Sequence, residues 1–373
     1  MERKISSEID HEKNEVRNMN SYELLARKLD SLPNGYPPTE DDVHLRLLEK
    51  IFTREEADIA AQLSPETESV KEIATRTGRE PDELRQQLKA LARRGLITIE
   101  LGKGGDRYGL MPFVVGIYEN QVDTIDKELA QLFEDYYQKA FSEVMRVQPQ
   151  FHRVIPVGET VRNSMEIHPY ENIVDLVNTA QSWAVLDCIC RKQKALIGEA
   201  CEHPIDVCMV LSPGPGAFEN HPVFHAVTHE QALATLKRAS DAGLVHSVSN
   251  NQQGIYYICS CCTCSCGILR GIAKLGIANV IARSAFVCTV DETLCSSCEN
   301  CLSYCQFGAL SIDVTAQINY MSCMGCGVCV PSCPSEALVL VRRPEEEIKP
   351  IPETPSDWKN QRASFLAIGK VTQ

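Results

Sequence analysis

The chain has 373 residues, 44% of them hydrophobic, which is enough for two or three domains of ordinary size. A formal charge of -13 argues against general attraction to nucleic acid, because neutralising phosphates supplies most non-specific affinity. The 18 cysteines exceed what packing needs and indicate disulfides or metal. No secretion signal or membrane span is visible, so we expect a cytoplasmic protein in which disulfides do not persist. The cysteines are therefore expected to bind metal, in a cell that grows with little oxygen.

The first part of the chain predicts a charged arm followed by a compact helical module. Residues 1–42 are highly charged and end in proline and glycine turns, which predicts a helical arm. From residue 43, capping boxes, a glycine stop and a first-turn proline mark the ends of successive helices. These signals are Thr53 with Glu56, Ser69 with Glu72, Gly78 and Pro81. The alternating segment 96–101 and its return at 107–110 predict a hairpin, so the module is expected to span residues 43–112.

Helices followed by a hairpin in this order resemble the winged helix-turn-helix of the MarR and ArsR repressors. The resemblance implies that the helix at 81–94 would enter the major groove and that Lys103 and Arg107 would reach phosphates from the wing. However, that helix opens with carboxylates where a recognition helix normally faces the groove. They belong to Glu80, Asp82 and Glu83. We therefore expect a docking or dimerisation element, with DNA binding as the alternative.

Residues 113–170 are expected to link the domains through one long helix. Over 119–146, apolar and aromatic residues recur at steps of three and four, which is typical of a helix with one buried face. A helix of this length usually bridges domains or pairs with its own copy. We interpret its aromatic stripe as core and assign it no chemistry.

Residues 171–290 are rich in cysteine, and the sequence predicts a small α/β domain here. The segment 183–191 is interpreted as a buried strand that carries two thiols on one face, and two more follow at distances that a loop can fold back. Four thiols are expected to hold an iron–sulfur cluster, the third of the chain after the two predicted below for residues 291–342. They are Cys188, Cys190, Cys201 and Cys208. Arg191 could offset the negative charge of that cluster, and structural zinc is the alternative occupant. His203 is expected at the surface or beside the ligands rather than among them.

Five further thiols stand within eight residues: Cys259, Cys261, Cys262, Cys264 and Cys266. Adjacent residues of an extended chain face opposite ways, so this stretch is expected to serve more than one site, or one unusual site. Together with Cys288, these thiols suffice for one further cluster. The region resembles the cysteine-rich domain of ferredoxin-fused proteins that accompany oxidoreductases in anaerobes.

Two matching cysteine runs lie within residues 291–342. In each run, three thiols are separated by two residues and a fourth follows after three more, the spacing in which a cluster takes three ligands from one run and its last from the other. This pattern resembles the bacterial two-cluster ferredoxin, which implies two 4Fe-4S clusters. One would be held by Cys295, Cys298, Cys301 and Cys333, and the other by Cys323, Cys326, Cys329 and Cys305. Two zinc sites are the alternative, although zinc sites pair two short hooks.

Residues next to the two runs refine this prediction. Gln306 stands where the first run would usually have proline, which leaves the ligand count unchanged but alters hydrogen bonding near that cysteine. A strand at 337–341 is expected to pair back across the ferredoxin core. Residues 343–373 read as a proline-rich tail, expected to be extended or disordered unless it lies on a neighbouring surface.

The sequence contains neither a complete dinucleotide-binding glycine motif nor a phosphate-binding lysine motif, so no flavin or nicotinamide site is expected. Clusters without a two-electron cofactor move single electrons and leave the chemistry to a partner. The leading hypothesis is an α+β multidomain, multi-cluster electron-transfer protein, either a homodimer or a subunit of an anaerobic oxidoreductase complex that serves redox partner proteins. One alternative is a redox- or oxygen-sensing transcription regulator that uses the winged helix. Another is an enzyme with an unusual substrate-binding cluster at 259–266.

Overall fold

The computed structural model describes residues 19–102, 104–157, 167–219, 221 and 223–371. These residues form two compact units that divide after Val144, and each unit combines helices with antiparallel sheet. In the part of the chain described, no helix is long and apolar enough to cross a membrane. The predicted phosphate contact of Lys103 falls outside the described residues.

The first unit begins with helices, and a hairpin forms the last part of its small sheet. Its helices and strands up to the hairpin are α1 Ser21–Asp30, α2 Val43–Ile51, α3 Arg54–Ala61, β1 Glu68–Ser69, α4 Val70–Thr77, α5 Pro81–Arg93, β2 Ile97–Glu100 and β3 Arg107–Leu110. Strand β3 pairs antiparallel with β1 on one side and β2 on the other. Thr53 and Ser69 cap α3 and α4 through complete capping boxes, and Gly78 ends α4 in the left-handed conformation. These predicted helix ends are confirmed because each depends only on neighbouring residues.

The prediction of one continuous helix over 119–146 is wrong in its first part. The chain makes a 3₁₀ turn at Glu119–Gln121, and the helix α6 Lys127–Tyr136 begins only after Asp126, which caps its first turn. A π-helical turn, Tyr137–Phe141, then leads into α7 Ser142–Val144. Apolar residues are also buried in the break before α6, so the apolar period continues where the helix does not. They are Val122 and Ile125.

The second unit contains a six-stranded sheet and the helices around it. Its elements are β4 His152–Val154, α8 Ile173–Thr179, β5 Ser182–Leu186, α9 Ile189–Leu196, β6 Cys208–Ser212, β7 His225–Val227, α10 His229–Asp241, β8 Val245–Ser249, β9 Tyr257–Cys261 and α11 Gly267–Ala273. The strand order is β4–β8–β9–β6–β5–β7, with every pair antiparallel. A short 3₁₀ turn, Pro169–Glu171, precedes α8. The predicted small α/β domain is thus an antiparallel arrangement, because consecutive strands such as β8 and β9 turn back on each other instead of crossing over.

One apolar core joins helices α8 and α10 to this sheet. Its fully buried members come from both helices and from the strands: Ile155, Ile173, Val177, Met209, Leu211, Ala232, Leu236, Val248 and Ile258. Burial of this surface is the main force that holds the sheet, and it fixes the strands that carry the cysteines.

The ferredoxin part of the second unit is framed by two strand pairs. Strand β10 Phe286–Val290 pairs antiparallel with β13 Leu338–Arg342, which confirms the pairing predicted for 337–341. Between them lie α12 Asn300–Tyr304 and the pair β11 Leu310–Ile312 with β12 Ala316–Ile318. Because β10 is the partner of β13, this sheet begins before the predicted boundary at residue 291.

The described part of the tail, residues 344–371, packs against the rest of the second unit and is not simply extended. A 3₁₀ turn, Glu345–Glu347, precedes the helix α13 Pro355–Val371. The guanidinium of Arg362 is buried 4.1 Å from the Phe151 ring centroid and donates hydrogen bonds to the carbonyls of Val147 and Pro149. Two residues mark the start of this helix. The Thr354 hydroxyl donates to the Asp357 carboxylate, and the backbone N–H of Asp357 donates to the Thr354 hydroxyl.

Candidate metal centres

The first predicted ferredoxin set lies around one cavity. Cys295, Cys298, Cys301 and Cys333 all line it, together with apolar residues such as Ile312 and Leu338. The backbone N–H of Ala316 donates to the Cys295 sulfur over 3.4 Å. The strand pair β11–β12 and the start of β13 therefore bring the last cysteine of the second run to the first three of the first run, as the ferredoxin spacing requires.

The second predicted set also converges, around the buried thiol of Cys326. Burial raises the pKa of Cys326, and the nearby thiols of Cys329, Cys323 and Cys305 raise it further. Backbone N–H groups donate to two of these sulfurs: Ala309 to Cys305 over 3.2 Å, and Cys288 to Cys323 over 3.5 Å. Such hydrogen bonds stabilise thiolates that ligate iron. Cys288 itself lies 3.7 Å from the Cys329 sulfur in the adjoining core.

Gly325 allows the second cysteine loop to approach strand β10. Its φ of +68° is in the left-handed region, and an added Cβ would lie 2.0 Å from the Phe286 carbonyl oxygen. The Ser284 hydroxyl donates to the Gly325 carbonyl over 2.7 Å and fixes the same approach. Glycine is required here by both backbone conformation and space.

Six thiols of the cysteine-rich region form a closed ring, in which each contacts the next. The order around this six-thiol ring is Cys188, Cys190, Cys266, Cys261, Cys259 and Cys208, and the last contacts the first again. Hydrogen bonds from Cys190 and Cys208, aided by Arg191, hold the pKa of Cys188 well below its usual value. Contact with Cys188 raises the pKa of Cys190 and of Cys208. The ring combines three thiols of the set predicted for a third cluster with three of the five thiols at 259–266.

Sheet register explains much of this ring. Met209 of β6 is paired with Ile258 of β9, so Cys208 comes next to Cys259 across the sheet. Cys259 and Cys261 share one face of β9, because alternate residues of a strand point the same way. The predicted strand at 183–191 is wrong beyond Leu186, since Cys188 caps the helix α9 and Cys190 lies in its first turn. The segment that follows contains good helix formers, which explains the change.

Cys201 is separated from the other three members of its predicted set. Its sulfur lies 4.0 Å from that of Cys262 and 3.4 Å from the Ser265 hydroxyl. The Cys264 sulfur lies 3.7 Å from Nδ1 of His203. The ligand atoms of Cys201, His203, Cys262 and Cys264 all lie within 4.8 Å of one another. This second thiol group therefore includes His203, which the sequence placed beside the ligands and not among them.

Arg191 lies between the six-thiol ring and the second thiol group. Both terminal nitrogens donate to the Ser260 carbonyl, over 3.1 and 2.9 Å, and Nη1 also lies 3.8 Å from the Cys262 sulfur. Burial acts to lower the pKa of Arg191, but the thiolates of Cys188, Cys208, Cys262 and Cys261 together raise it. Among the described residues, its buried Nε has no hydrogen-bond partner. A fixed positive charge is thus available to both groups of thiols.

Adjacent Cys261 and Cys262 belong to different groups, one to the ring and one to the second group. This division follows from the alternation of the extended chain at the end of β9. The membership of Cys208 and Cys266 in one ring depends on contacts between distant segments, and no local spacing reveals it.

Comparison with known proteins supports the ferredoxin part. A family model described as 4Fe-4S binding domain matches residues 316–339, which contain the second cysteine run. A pyruvate synthase subunit PorD from Methanothermobacter marburgensis is 38% identical over 53 residues, or 14% of this chain and 63% of the relative. The protein of the same name from Methanocaldococcus jannaschii is 38% identical over 55 residues, or 14% and 64% respectively.

The chain spans somewhat less than two thirds of the length of these curated relatives, and they account for a small part of this chain. No solved structure matches it. The converging cysteines and these matches together show that the chain carries 4Fe-4S clusters in a ferredoxin-type region, which supports an iron–sulfur role in electron transfer.

Proposed function

We propose that this chain relays single electrons through several 4Fe-4S clusters as a component of an anaerobic, cytoplasmic oxidoreductase complex. When bound, such clusters supply one-electron chemistry, and hydrogen bonds, charge and burial tune their potentials. The ferredoxin cysteines would hold two clusters in the two sets described above. The six-thiol ring would hold a third, for which four of its thiols suffice.

A single contact carries this proposal. The backbone N–H of Thr263 donates to Oε1 of Gln306 over 2.7 Å, and the Gln306 amide donates to the Gly243 carbonyl. Thr263 follows two residues after Cys261 of the ring, and Gln306 follows directly after Cys305 of the second ferredoxin set. The ring and the ferredoxin region are therefore joined by a short path of covalent bonds and one hydrogen bond. Gln306, which replaces the usual proline, makes that connection.

The first unit is proposed to serve assembly. Three guanidinium groups of this unit form ion pairs within it: Arg76 pairs with Glu68, Arg94 with Glu56, and Arg107, the predicted wing contact, with Glu72. Apolar side chains are exposed instead on and just after strand β2, where Ile99 is 39% and Leu101 77% exposed. Exposed apolar residues beside neutralised cations favour a protein partner over a phosphate backbone.

The names of the relatives suggest what kind of assembly this is. Both are named as subunits of pyruvate synthase, and we propose that this chain likewise acts as the electron-carrying subunit of a larger oxidoreductase. Its donor and acceptor would be redox partner proteins bound at separate surfaces.

The proposal is tested by an anaerobic redox titration of the full chain followed by low-temperature EPR. We expect reversible one-electron reduction of at least three interacting clusters. The Gln306→Ala variant should keep its clusters but slow electron exchange between the ring and the ferredoxin region after a rapid pulse of reductant. Irreversible reduction, or rates unchanged in this variant, would contradict the proposed relay.

A second candidate function is favoured by the number of thiols in the ring. Six thiols are two more than a cubane requires, which is consistent with an unusual cluster other than a cubane; the enzyme hypothesis adds that one of its irons is open to a substrate. This enzyme hypothesis predicts that a small exogenous ligand such as cyanide shifts one EPR signal of the reduced chain. If all signals remain unchanged at saturating cyanide, the electron-transfer function is preferred.

A further inference from the structure

The second thiol group has the size of a site for one metal ion. We infer that Cys201, His203, Cys262 and Cys264 bind a single divalent transition metal, with zinc as the ion that the ligand set favours. A tetrahedral ion with Zn–S bonds of about 2.3 Å places neighbouring sulfurs about 3.8 Å apart. The observed separations are 4.0 Å between Cys201 and Cys262, and 3.7 Å between Cys264 and Nδ1 of His203.

The chain supplies these ligands as two short hooks. Cys201 and His203 are separated by one residue on the loop after helix α9, and Cys262 and Cys264 are separated by one residue just after strand β9. Two hooks from distant segments are the usual way in which a protein builds a tetrahedral zinc site. A cubane needs a wider set, because each thiolate then binds a different iron. All four ligand atoms here lie within 4.8 Å, which favours one ion over a cluster.

Residues around the ligands complete the site. Ser265 contacts the Cys201 sulfur, and Arg191 lies 3.8 Å from the Cys262 sulfur. Three thiolates and one neutral imidazole around a divalent ion leave one negative charge, which the Arg191 guanidinium offsets. His203 and Cys264 also line an open cleft, so an ion can reach the ligands from solvent. The types of ligand, their spacing, the nearby positive charge and the access from solvent are therefore all those expected for one bound divalent ion.

The site also has a structural consequence. Thr263 lies between two of the ligands and donates its N–H to Gln306, the residue after Cys305. An ion bound here would hold this turn in place against the ferredoxin loop. The ion would have four protein ligands and no open coordination position, so its role would be structural and not catalytic.

The test is to measure zinc, iron and acid-labile sulfide in the anaerobically purified full chain. We expect about one zinc per chain in addition to the iron of the clusters. His203→Gln and Cys264→Ser should each lose this zinc with iron and sulfide unchanged, whereas His203→Cys, which restores four ligands, should keep it. His229→Gln is the matched control, because His229 contacts Asn178 away from the site.

Zinc-edge X-ray absorption of the unmodified chain tests the same inference without relying on variants that fold. We expect three sulfur neighbours at about 2.3 Å and one nitrogen at about 2.0 Å. A shell of oxygen and nitrogen only, absence of zinc, zinc unchanged in both ligand variants, or loss of iron and sulfide together in Cys264→Ser would overturn the inference. None of these results depends on whether the chain transfers electrons.

Discussion

At the scale of single residues, Arg191 controls the charge balance of the cysteine-rich region. It is buried, it is held by the Ser260 carbonyl, and it faces thiols of both groups. We predict that Arg191→Gln lowers the reduction potential of the ring cluster by on the order of 100 mV, because removing a nearby positive charge disfavours the more negative, reduced state. Anaerobic potentiometric EPR measures the shift.

The control for this substitution is Arg238→Gln. Arg238 forms an exposed ion pair with Asp206 in the same domain, so its loss should leave all potentials nearly unchanged. Equal shifts in the two variants would mean that Arg191 has no special relation to a cluster.

The six-thiol ring can be tested by leaving it too few ligands. The triple substitution of Cys259, Cys261 and Cys266 by serine leaves three ring thiols, fewer than a cubane requires. We predict that the chain then loses about four irons and about four sulfides, one cubane, while the ferredoxin clusters remain. Cys288→Ala, which removes a buried thiol outside the ring, should lose none. The measurement is iron and acid-labile sulfide per chain in both variants. Full iron retention in the triple variant would exclude a ring cluster.

At the scale of structural elements, the second cysteine loop depends on its contact with strand β10. Gly325→Ala would place a Cβ 2.0 Å from the Phe286 carbonyl and 2.2 Å from the Ser284 hydroxyl. We predict a loss of more than about 3 kcal/mol in the stability of this loop and of the cluster it holds. The change is measured as iron retained during anaerobic heating.

Gly308→Ala is the matched comparison, because Gly308 also has a positive φ, of +60°, but nothing within 4 Å of an added Cβ. Gly308→Ala is expected to reduce the stability of its loop by only about 1 kcal/mol, because alanine disfavours a positive φ. If the two variants lose iron at the same temperature, the close approach of Gly325 is not what holds the loop.

The elements that sequence predicted well are those set by local signals. Capping pairs such as Thr53 with Glu56 fix where α3 begins, because the pair lies within one turn of the chain. The helix at 119–146 was predicted too long because its apolar period continues through a break that Asp126 ends. The tail helix was missed, although Thr354 and Pro355 are a recognisable helix start.

The middle cysteines could not be grouped from sequence, for a physical reason. Cys208 and Cys259 are neighbours only because β6 and β9 pair in one particular register, which depends on the whole sheet. Cys201 joins Cys262 rather than Cys188 because the loop after α9 folds toward the end of β9. The alternation of Cys261 and Cys262 was the one local signal that indicated two sites, and the structure places them in two groups.

At the scale of the whole molecule, the net charge of -13 opposes DNA binding, and so do the ion pairs of Arg76 and Arg94 within the first unit. We predict that the oxidised and reduced holoproteins both bind duplex DNA no more tightly than a Kd of about 1 μM at physiological salt, the range of non-specific contacts. Selection from a random duplex library followed by gel-shift titration measures this. Enrichment of one sequence with nanomolar, redox-dependent affinity would favour the regulator hypothesis instead.

We propose that clusters extend beyond the ferredoxin region into the six-thiol ring. The most direct measurement is iron and acid-labile sulfide per chain in anaerobically purified protein, together with EPR of the reduced form. We expect about twelve irons, in three interacting cubanes. About eight irons with signals from two clusters alone would contradict it, because the ring would then hold no cluster and the relay would end at the ferredoxin.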